Sequence, residues 1–477
     1  MSSSEARARW LHFAGTAGSG MSALALFHAQ AGGRATGSDR AFDRGEGAEV
    51  RAALEAAGLV VTPQDGSFAG ALPGRCDAVV VSTAVEDGVP DVAAARAARI
   101  PVLHRSELLA QHVLDHRTVA VTGTSGKSTV TAMVFAILQQ AGLGPGLLTG
   151  GALTALQRAG HLGNAWAPAP APGRPPLLVV EADESDGSLV RYRPWCGVVL
   201  NLGLDHKPPA EVLAMFRTFR ARTAGPFILG ADANLDELAD GALRCGLADE
   251  HPGRAGVFAT DVVLGPDRVR FCLDGVPFTV PQPGRHTVLN AAAAVAAARA
   301  AGAGDDAAAA ALAGFAGVAR RFASLGSAGG VEVIDDFAHN PDKIAAALAA
   351  AHGRLGGHGR VLAVFQPHGF GPTRFLKDAL IAACADALAA RDVLWLPEIF
   401  FAGGTVSRDI SAADLAAGVA AAGRDARFVA DRAALPAAIA TEARPGDLVL
   451  VMGARDPSLT AFGRTVLARL AERALQS

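Results

Sequence analysis

The chain has 477 residues, half of them apolar and 19% charged, with a formal net charge of −3. At roughly 150 residues per domain this length predicts about three domains, and the near-neutral balance gives no electrostatic footprint for nucleic acid or an anionic membrane surface. Five scattered cysteines (Cys76, Cys196, Cys245, Cys272, Cys384) with no C-x-x-C pair argue against a disulfide framework or a zinc site. The start MSSSEARARWLHF lacks the apolar run of a secretion signal, and no stretch reaches the 18 or so apolar residues of a membrane span, so a cytoplasmic protein is expected.

From about residue 10 to 116 short apolar runs alternate with helical patterns: LHFAG, GMSALALFHAQAG, ATGSD, DAVVVSTAV, PVLHRSELLAQH. That alternation predicts a Rossmann-like, doubly wound parallel sheet over residues 1–116. Its first turn, GTAGSG (Gly15 to Gly20), is nearly G-x-G-x-x-G, and Ser38-Asp39 follows about 20 residues on, so a dinucleotide-dependent oxidoreductase has to be weighed; Ala17 in place of the middle glycine weakens it.

A second α/β unit, 117–316, opens with TVAVTGTSGKST and the helix TAMVFAILQQAG and continues through LLVVEADESD and GVVLNLGLDH. The Pro-rich stretch Pro168–Pro176 reads as an exposed loop on it. Alanine runs such as that after Asn290 keep helical spacing and read as helices. A third unit, 317–477, carries the strand patterns VEVIDDFAH, RVLAVFQPH, DVLWLPEI and DLVLVMGARD between helical stretches. The whole is an α/β protein of three domains, with a mostly parallel central sheet and a Rossmann-like third domain.

The stretch Gly123-Thr-Ser-Gly-Lys-Ser-Thr129 lies between a buried-strand pattern and an amphipathic helix, the setting of a phosphate-binding loop. Val121 stands where the usual first glycine would be. Backbone N–H groups at such a turn attract phosphate, Lys127 adds a point charge, and the Ser128 hydroxyl is a ligand type for Mg²⁺. The chain has only four lysines (Lys127, Lys207, Lys343, Lys377), which makes one in a glycine-rich turn informative. Metal-binding carboxylates belong at the end of a neighbouring strand, where Glu181, Asp183, Glu184 and Asp186 cluster; Asp205 and His206 end the next strand.

The set GTSGKST, EADESD, NLGLDH, GRHTVLNAAAA, ARRF, DDFAHNP, FQPH and GDLVLVMGA, in this order, resembles the Mur ligase family, and within it the alanine-adding branch. The family's loop is G-T-x-G-K-[ST] without the earlier glycine. The resemblance implies an ATP-dependent ligase that joins the carboxylate of a UDP-N-acetylmuramate-type substrate to an amino acid through an acyl phosphate, for peptidoglycan precursors. It implies ATP contacts from Gly123, Thr124, Ser125, Gly126, Lys127, Ser128 and Thr129. His286 and Asn290 would lie near adenine, Arg321 at the phosphates, and Asp336 with His339 at the ribose and reacting centre. Mg²⁺ would be held by Ser128 and Glu181, with His206 on a second ion. The catalytic set would be Lys127, His206, Arg321 and His339. The first turn would hold the UDP part of the substrate through Gly15, Gly18, Gly20, Met21, Ser38, Asp39, Ser82 and Thr83. The H-N-x-x-N element has Thr287 for its first asparagine, and no lysine lies between Lys207 and Lys343, so a carbamylated-lysine ligand is not expected unless Lys207 serves.

Two departures touch the amine. After FQPH the branch carries R-[FY]-[ST]-R-T-R, whereas here Gly369-Phe-Gly-Pro-Thr-Arg374 leaves Arg374 alone, and Gly404 stands where an acid is usual. These predict a paralogue that accepts a different, possibly bulkier amine. Competing readings are the recycling ligase that joins a whole peptide, the NAD-dependent oxidoreductase, which leaves GTSGKST unexplained, and an inactive nucleotide-binding protein.

Overall fold

A computed structural model of the chain describes residues 9–83, 85, 88–185, 187–205, 207–401 and 407–475. Three sheets follow one another along the chain. The first has five parallel strands in the spatial order Val60–Val61, Arg34–Ser38, Trp10–Ala14, Ala78–Val81, Val102–His104. Every residue of WLHFA is buried, as a middle strand covered on both faces requires.

The second sheet has ten strands. Its parallel part runs Val257–Leu264, Leu243–Leu247, Phe227–Gly230, Cys196–Val199, Arg117–Thr122, Leu177–Glu181, Gly146–Leu148, with antiparallel strands added at both edges. Helices Lys127–Gln140 and Arg285–Ala301 pack together on one face. The second presents seven alanines and Val295, over residues 291–298, almost wholly buried, the small side chains letting it lie close to the sheet while keeping high helix propensity.

The third sheet orders Ala323–Ala328, Val331–Asp336, Leu448–Met452, Val361–Phe365, Val393–Pro397, Asp425–Val429, antiparallel only at its first pair. Contacts tie the units: Asn164 Nδ2 donates to Ser19 O (2.9 Å), from the second to the first, and Leu153 bridges Val318. Among the described residues no helix is long and apolar enough to cross a membrane.

Candidate active site

In the central sheet Val121 pairs with Glu181 and Thr122 with Val199, so three adjacent parallel strands end level with one another. Ligands of open α/β sheets bind beyond such carboxyl ends. There the chain turns through Gly123–Gly126 into helix Lys127–Gln140. Both glycines have positive φ, +134° and +88°, and a Cβ on Gly126 would stand 2.5 Å from Asn290 Oδ1, so Asn290 lies against the loop. A strap from the next strand fixes the turn. Ser125 N donates to Asn201 Oδ1 (2.8 Å), Asn201 Nδ2 donates to Ser125 O (3.0 Å), and Gly203 N donates to Thr124 Oγ1 (2.9 Å). Thr129 follows on the helix.

Lys127 Nζ donates to Gly123 O (2.9 Å) and to both oxygens of Glu184 (3.0 and 2.8 Å), and stands 3.4 Å from Asp183 Oδ1. Burial works against the ammonium, but the charges of Glu184, Asp183 and Glu181 more than offset it and hold Lys127 above its ordinary range. Glu184 is pushed up by burial, with Lys127 favouring its ionised form. Ser128 Oγ donates to Glu181 Oε1 (3.0 Å), and Glu181 Oε2 accepts from Thr149 Oγ1 (2.7 Å) and Gly150 N (2.8 Å). A hydroxyl and an oriented carboxylate, both oxygen donors, suit a hard cation such as Mg²⁺. His206 lies outside the described residues.

The third domain reaches this cluster. Arg321 Nη2 donates to Ser128 Oγ (3.4 Å). The residues on either side, Arg320 and Phe322, have φ of +58° and +49°, a conformation non-glycine residues rarely hold unless neighbours impose it. Those neighbours are Phe337 N, which donates to Arg320 O (2.7 Å), and Asp336, which accepts from Phe322 N (2.7 Å) and Ala338 N (2.7 Å). Asp336 is pushed up by burial, with Arg321 opposing. His339 Nδ1 hydrogen-bonds Phe337 O at 2.8 Å; a carbonyl only accepts, so Nδ1 carries the proton in the neutral ring and the lone pair lies on Nε2, 3.7 Å from Asp205 Oδ1. His286 opens helix Arg285–Ala301 and is pushed down by burial. Thr287, at the position of the missing asparagine, bonds its hydroxyl back to Pro283 O (2.8 Å).

A cleft of about 610 Å³ joins the glycine turn of the first domain to this cluster. Gly15, Gly18, Gly20, Met21, Asp39, Ser82 and Thr83 line it, together with Glu181 and Asp183. Ser38 is the exception: its hydroxyl donates to buried Asp91, and its carbonyl accepts from Gly15 N (2.8 Å) and Thr16 N (3.0 Å), so it shapes the turn from behind. Asp39 accepts from Ala17 N (2.9 Å) and Ala41 N (2.8 Å), fastening the turn to the next strand.

Three residues with a part here were not singled out for one in the sequence. Glu184, one of four neighbouring acids, is the main partner of Lys127; Asn201 straps the loop; Lys343 pairs with Asp205 (2.8 Å). Lysine scarcity was the available signal for Lys343.

Family comparisons agree along the chain. Residues 11–117 match the Mur ligase family catalytic domain, 121–298 the Mur ligase middle domain and 320–455 the Mur ligase glutamate ligase domain. The chain is 36% identical to the UDP-N-acetylmuramate–L-alanine ligase of Streptomyces avermitilis, over 97% of each chain. It is 37% identical to that of Paenarthrobacter aurescens, over 96% of this chain and 97% of the relative. The crystal structure of UDP-N-acetylmuramate-alanine ligase from Thermotoga maritima superposes with a TM-score of 0.75 at 24% identity, covering 98% of this chain and 99% of that one. A murein peptide ligase from Psychrobacter arcticus gives 0.67 at 23%, covering 97% and 99%. The chain belongs to the Mur ligase family of ATP-dependent, amide-forming ligases.

Proposed function

We propose that the chain condenses the carboxylate of UDP-N-acetylmuramate with an α-amino acid at the expense of ATP, in the cytoplasm, where both nucleotides are made. The observation that carries this reading is the continuous cleft from the glycine turn to Glu181 and Asp183, with Arg321 on Ser128 and Lys127 on Glu184 beside it. We take the domain boundaries at 116/117 and 316/317.

In this reading the turn Gly15–Gly20, with Asp39, Ser82 and Thr83, seats the UDP end and directs the substrate carboxylate toward the central domain. Loop residues 123–129 take the triphosphate of ATP, and His286 and Asn290 flank the base. Lys127 exchanges Glu184 for the β- and γ-phosphates, and Arg321 meets the transferring group from the opposite side. Ser128 and Glu181 would hold Mg²⁺, with His206 for a second ion; bound there, the metal supplies charge neutralisation on the phosphoryl group. A carboxylate oxygen attacks the γ-phosphorus, ADP leaves, and an acyl phosphate results. The amine nitrogen then attacks the acyl carbon, His339 Nε2 accepts its proton, and phosphate departs as the amide forms. Asp336, fixed by two backbone N–H groups, positions the segment that carries His339.

ADP release tests this directly. Turnover should require both UDP-N-acetylmuramate and an amino acid; release without an amine, or none with any UDP-sugar, would count against the ligase. A second reading, a paralogue for a different amine, is favoured by one observation: Arg374, the cation left after FQPH, is bound to Asp409 and to Ser407 O (3.1 Å).

A further inference from the structure

The cleft is built from three domains, and each anionic ligand that enters it needs a cation. At the UDP end the first domain supplies Arg40 and Arg105, both on the cleft wall, the latter with Nη1 3.0 Å from where a Cβ on Gly20 would stand. At the triphosphate end stand Lys127 and Arg321. The remaining ligand is the amino acid, whose own carboxylate must be recognised while its nitrogen reaches the acyl carbon. In the third-domain segment after FQPH, Arg374 is paired with Asp409, and Arg408 lies over the Phe401 ring, 4.6 Å from its centroid.

One third-domain residue lines the cleft among the described residues, and it is Arg455. Its side chain is exposed and makes no hydrogen bond or ion pair among the described residues, whereas the backbone on both sides of it is fixed. On one side Arg320 donates to Gly453 O (2.7 Å) and Ala454 O (3.2 Å), and Gly453 N donates to Asp336 O (3.2 Å). On the other, buried Asp456 accepts from Ser458 N (2.8 Å) and Ser458 Oγ (2.6 Å) and pairs with Arg432. A guanidinium with no partner among the described residues, on a pinned turn and facing the same space as Glu181 and Asp183, is prepared for an anion that arrives with the substrate.

We infer that Arg455 is the specificity-determining residue for the incoming amine, binding the carboxylate of the amino acid and so selecting amines that carry one. The assignment rests on the ligase reading above. It places the amino acid between the acyl group and the third-domain turn, where the fork of Arg455 holds both carboxylate oxygens and leaves the nitrogen toward the acyl carbon. The two phosphate-bearing ligands are alternative sources of the same anionic chemistry, so separate Michaelis constants distinguish them.

The test is steady-state ADP release by the full chain and by Arg455→Ala and Arg455→Lys. UDP-N-acetylmuramate, ATP and an amine are each varied in turn. The amine is L-alanine, or whichever of the twenty amino acids wild type uses best, compared with its carboxamide. For Arg455→Ala the amino-acid KM should rise about 10- to 100-fold, the scale of losing one charge-assisted bidentate contact, with the KM values for ATP and UDP-N-acetylmuramate within about twofold. Wild-type preference for the acid over its amide should disappear in Arg455→Ala and return in part in Arg455→Lys, which keeps the charge without the fork. An acid-over-amide preference that survives Arg455→Ala, or a rise confined to the KM of UDP-N-acetylmuramate or ATP, overturns the assignment and leaves the ligase reading standing. Failure of wild type to release ADP with any amine takes down both.

Discussion

Lys343 Nζ lies 2.8 Å from Asp205 Oδ2, joining the third domain to the central one through a buried ion pair. Asn340 Nδ2 donates to the same oxygen (2.9 Å), while Asn340 Oδ1 caps its own helix at Lys343 N (2.9 Å). Burial pushes the Lys343 ammonium down and Asp205 opposes it. Removing one member of such a pair strands the other charge and costs about 3–5 kcal/mol, while removing both costs much less. We therefore expect Lys343→Met to loosen the docking of the third domain, seen as a larger radius of gyration in solution scattering and faster proteolysis near residue 317. Adding Asp205→Asn should recover much of the loss. Single and double variants that scatter like wild type would show that the pair does not hold the domains together.

In the proposed ligase reading Lys127 and Glu181 act on different parts of the same phosphoryl group, and neither anchors the fold through apolar packing. Lys127→Ala and Glu181→Ala should each lower ADP release at least about 100-fold, the scale of removing one preorganised electrostatic contact. Lys127→Ala also strands Glu184 in a buried site, so a Lys127→Met/Glu184→Gln double variant serves as the folding control. Substantial turnover in a well-folded Glu181→Ala protein would remove Glu181 from the metal site.

How much of this was legible depended on whether a residue acts within a local pattern or across distance. The loop Gly123–Thr129 and the helix after it are written in consecutive residues, so strand, turn and helix could be read together. The antiparallel strands Val269–Leu273 and Val276–Val280 went unread although Asp274-Gly275, both with positive φ, is a two-residue hairpin signal. Partners 138 residues apart, such as Asp205 and Lys343, leave no spacing to detect. The same holds for Ser38: its place after a strand resembled a ligand-contact position, but only the fold reveals buried Asp91 behind it.

His112 should make stability fall on acidification. Burial pushes it down to about 3, with the charges of His116, His28 and Arg9 adding to the effect, and its buried Nε2 has no hydrogen-bond partner among the described residues. The folded state therefore favours the neutral ring, while the unfolded chain takes up a proton near pH 6.5. Its contribution is fully present above about 6.5 and is lost as pH falls from there toward 3, at up to about 1.4 kcal/mol per pH unit. His28 and His116, also pushed down by burial, add slope in the same direction. Thermal midpoints measured from pH 7.5 to 5 should fall, and His112→Leu should flatten that fall. An equally steep fall in the variant would assign the pH dependence to other groups.

The contact between Gly126 and Asn290 can be separated into strain and collision. Gly126 has φ of +88°, which costs an L residue roughly 1–2 kcal/mol, and a Cβ there would stand 2.5 Å from Asn290 Oδ1 and 3.2 Å from Leu200 Cδ1. The turn cannot relax easily, because Asn201 and Gly203 hold it to the neighbouring strand. Gly126→Ala should therefore displace the backbone N–H groups that the proposed reading assigns to the phosphates and weaken ATP binding about 10- to 100-fold, measured by calorimetry. Asn290→Ala alone should weaken it less, by removing a side chain from the base end of the site. If collision dominates, the double variant should bind ATP better than the sum of the two losses allows, with a coupling of about 1 kcal/mol, because Asn290→Ala clears the space the new methyl needs. If strain dominates, the losses should simply add, since removing Asn290 leaves φ at residue 126 unchanged. Wild-type affinity in Gly126→Ala would mean that the loop tolerates a side chain there and that ATP does not depend on its present course.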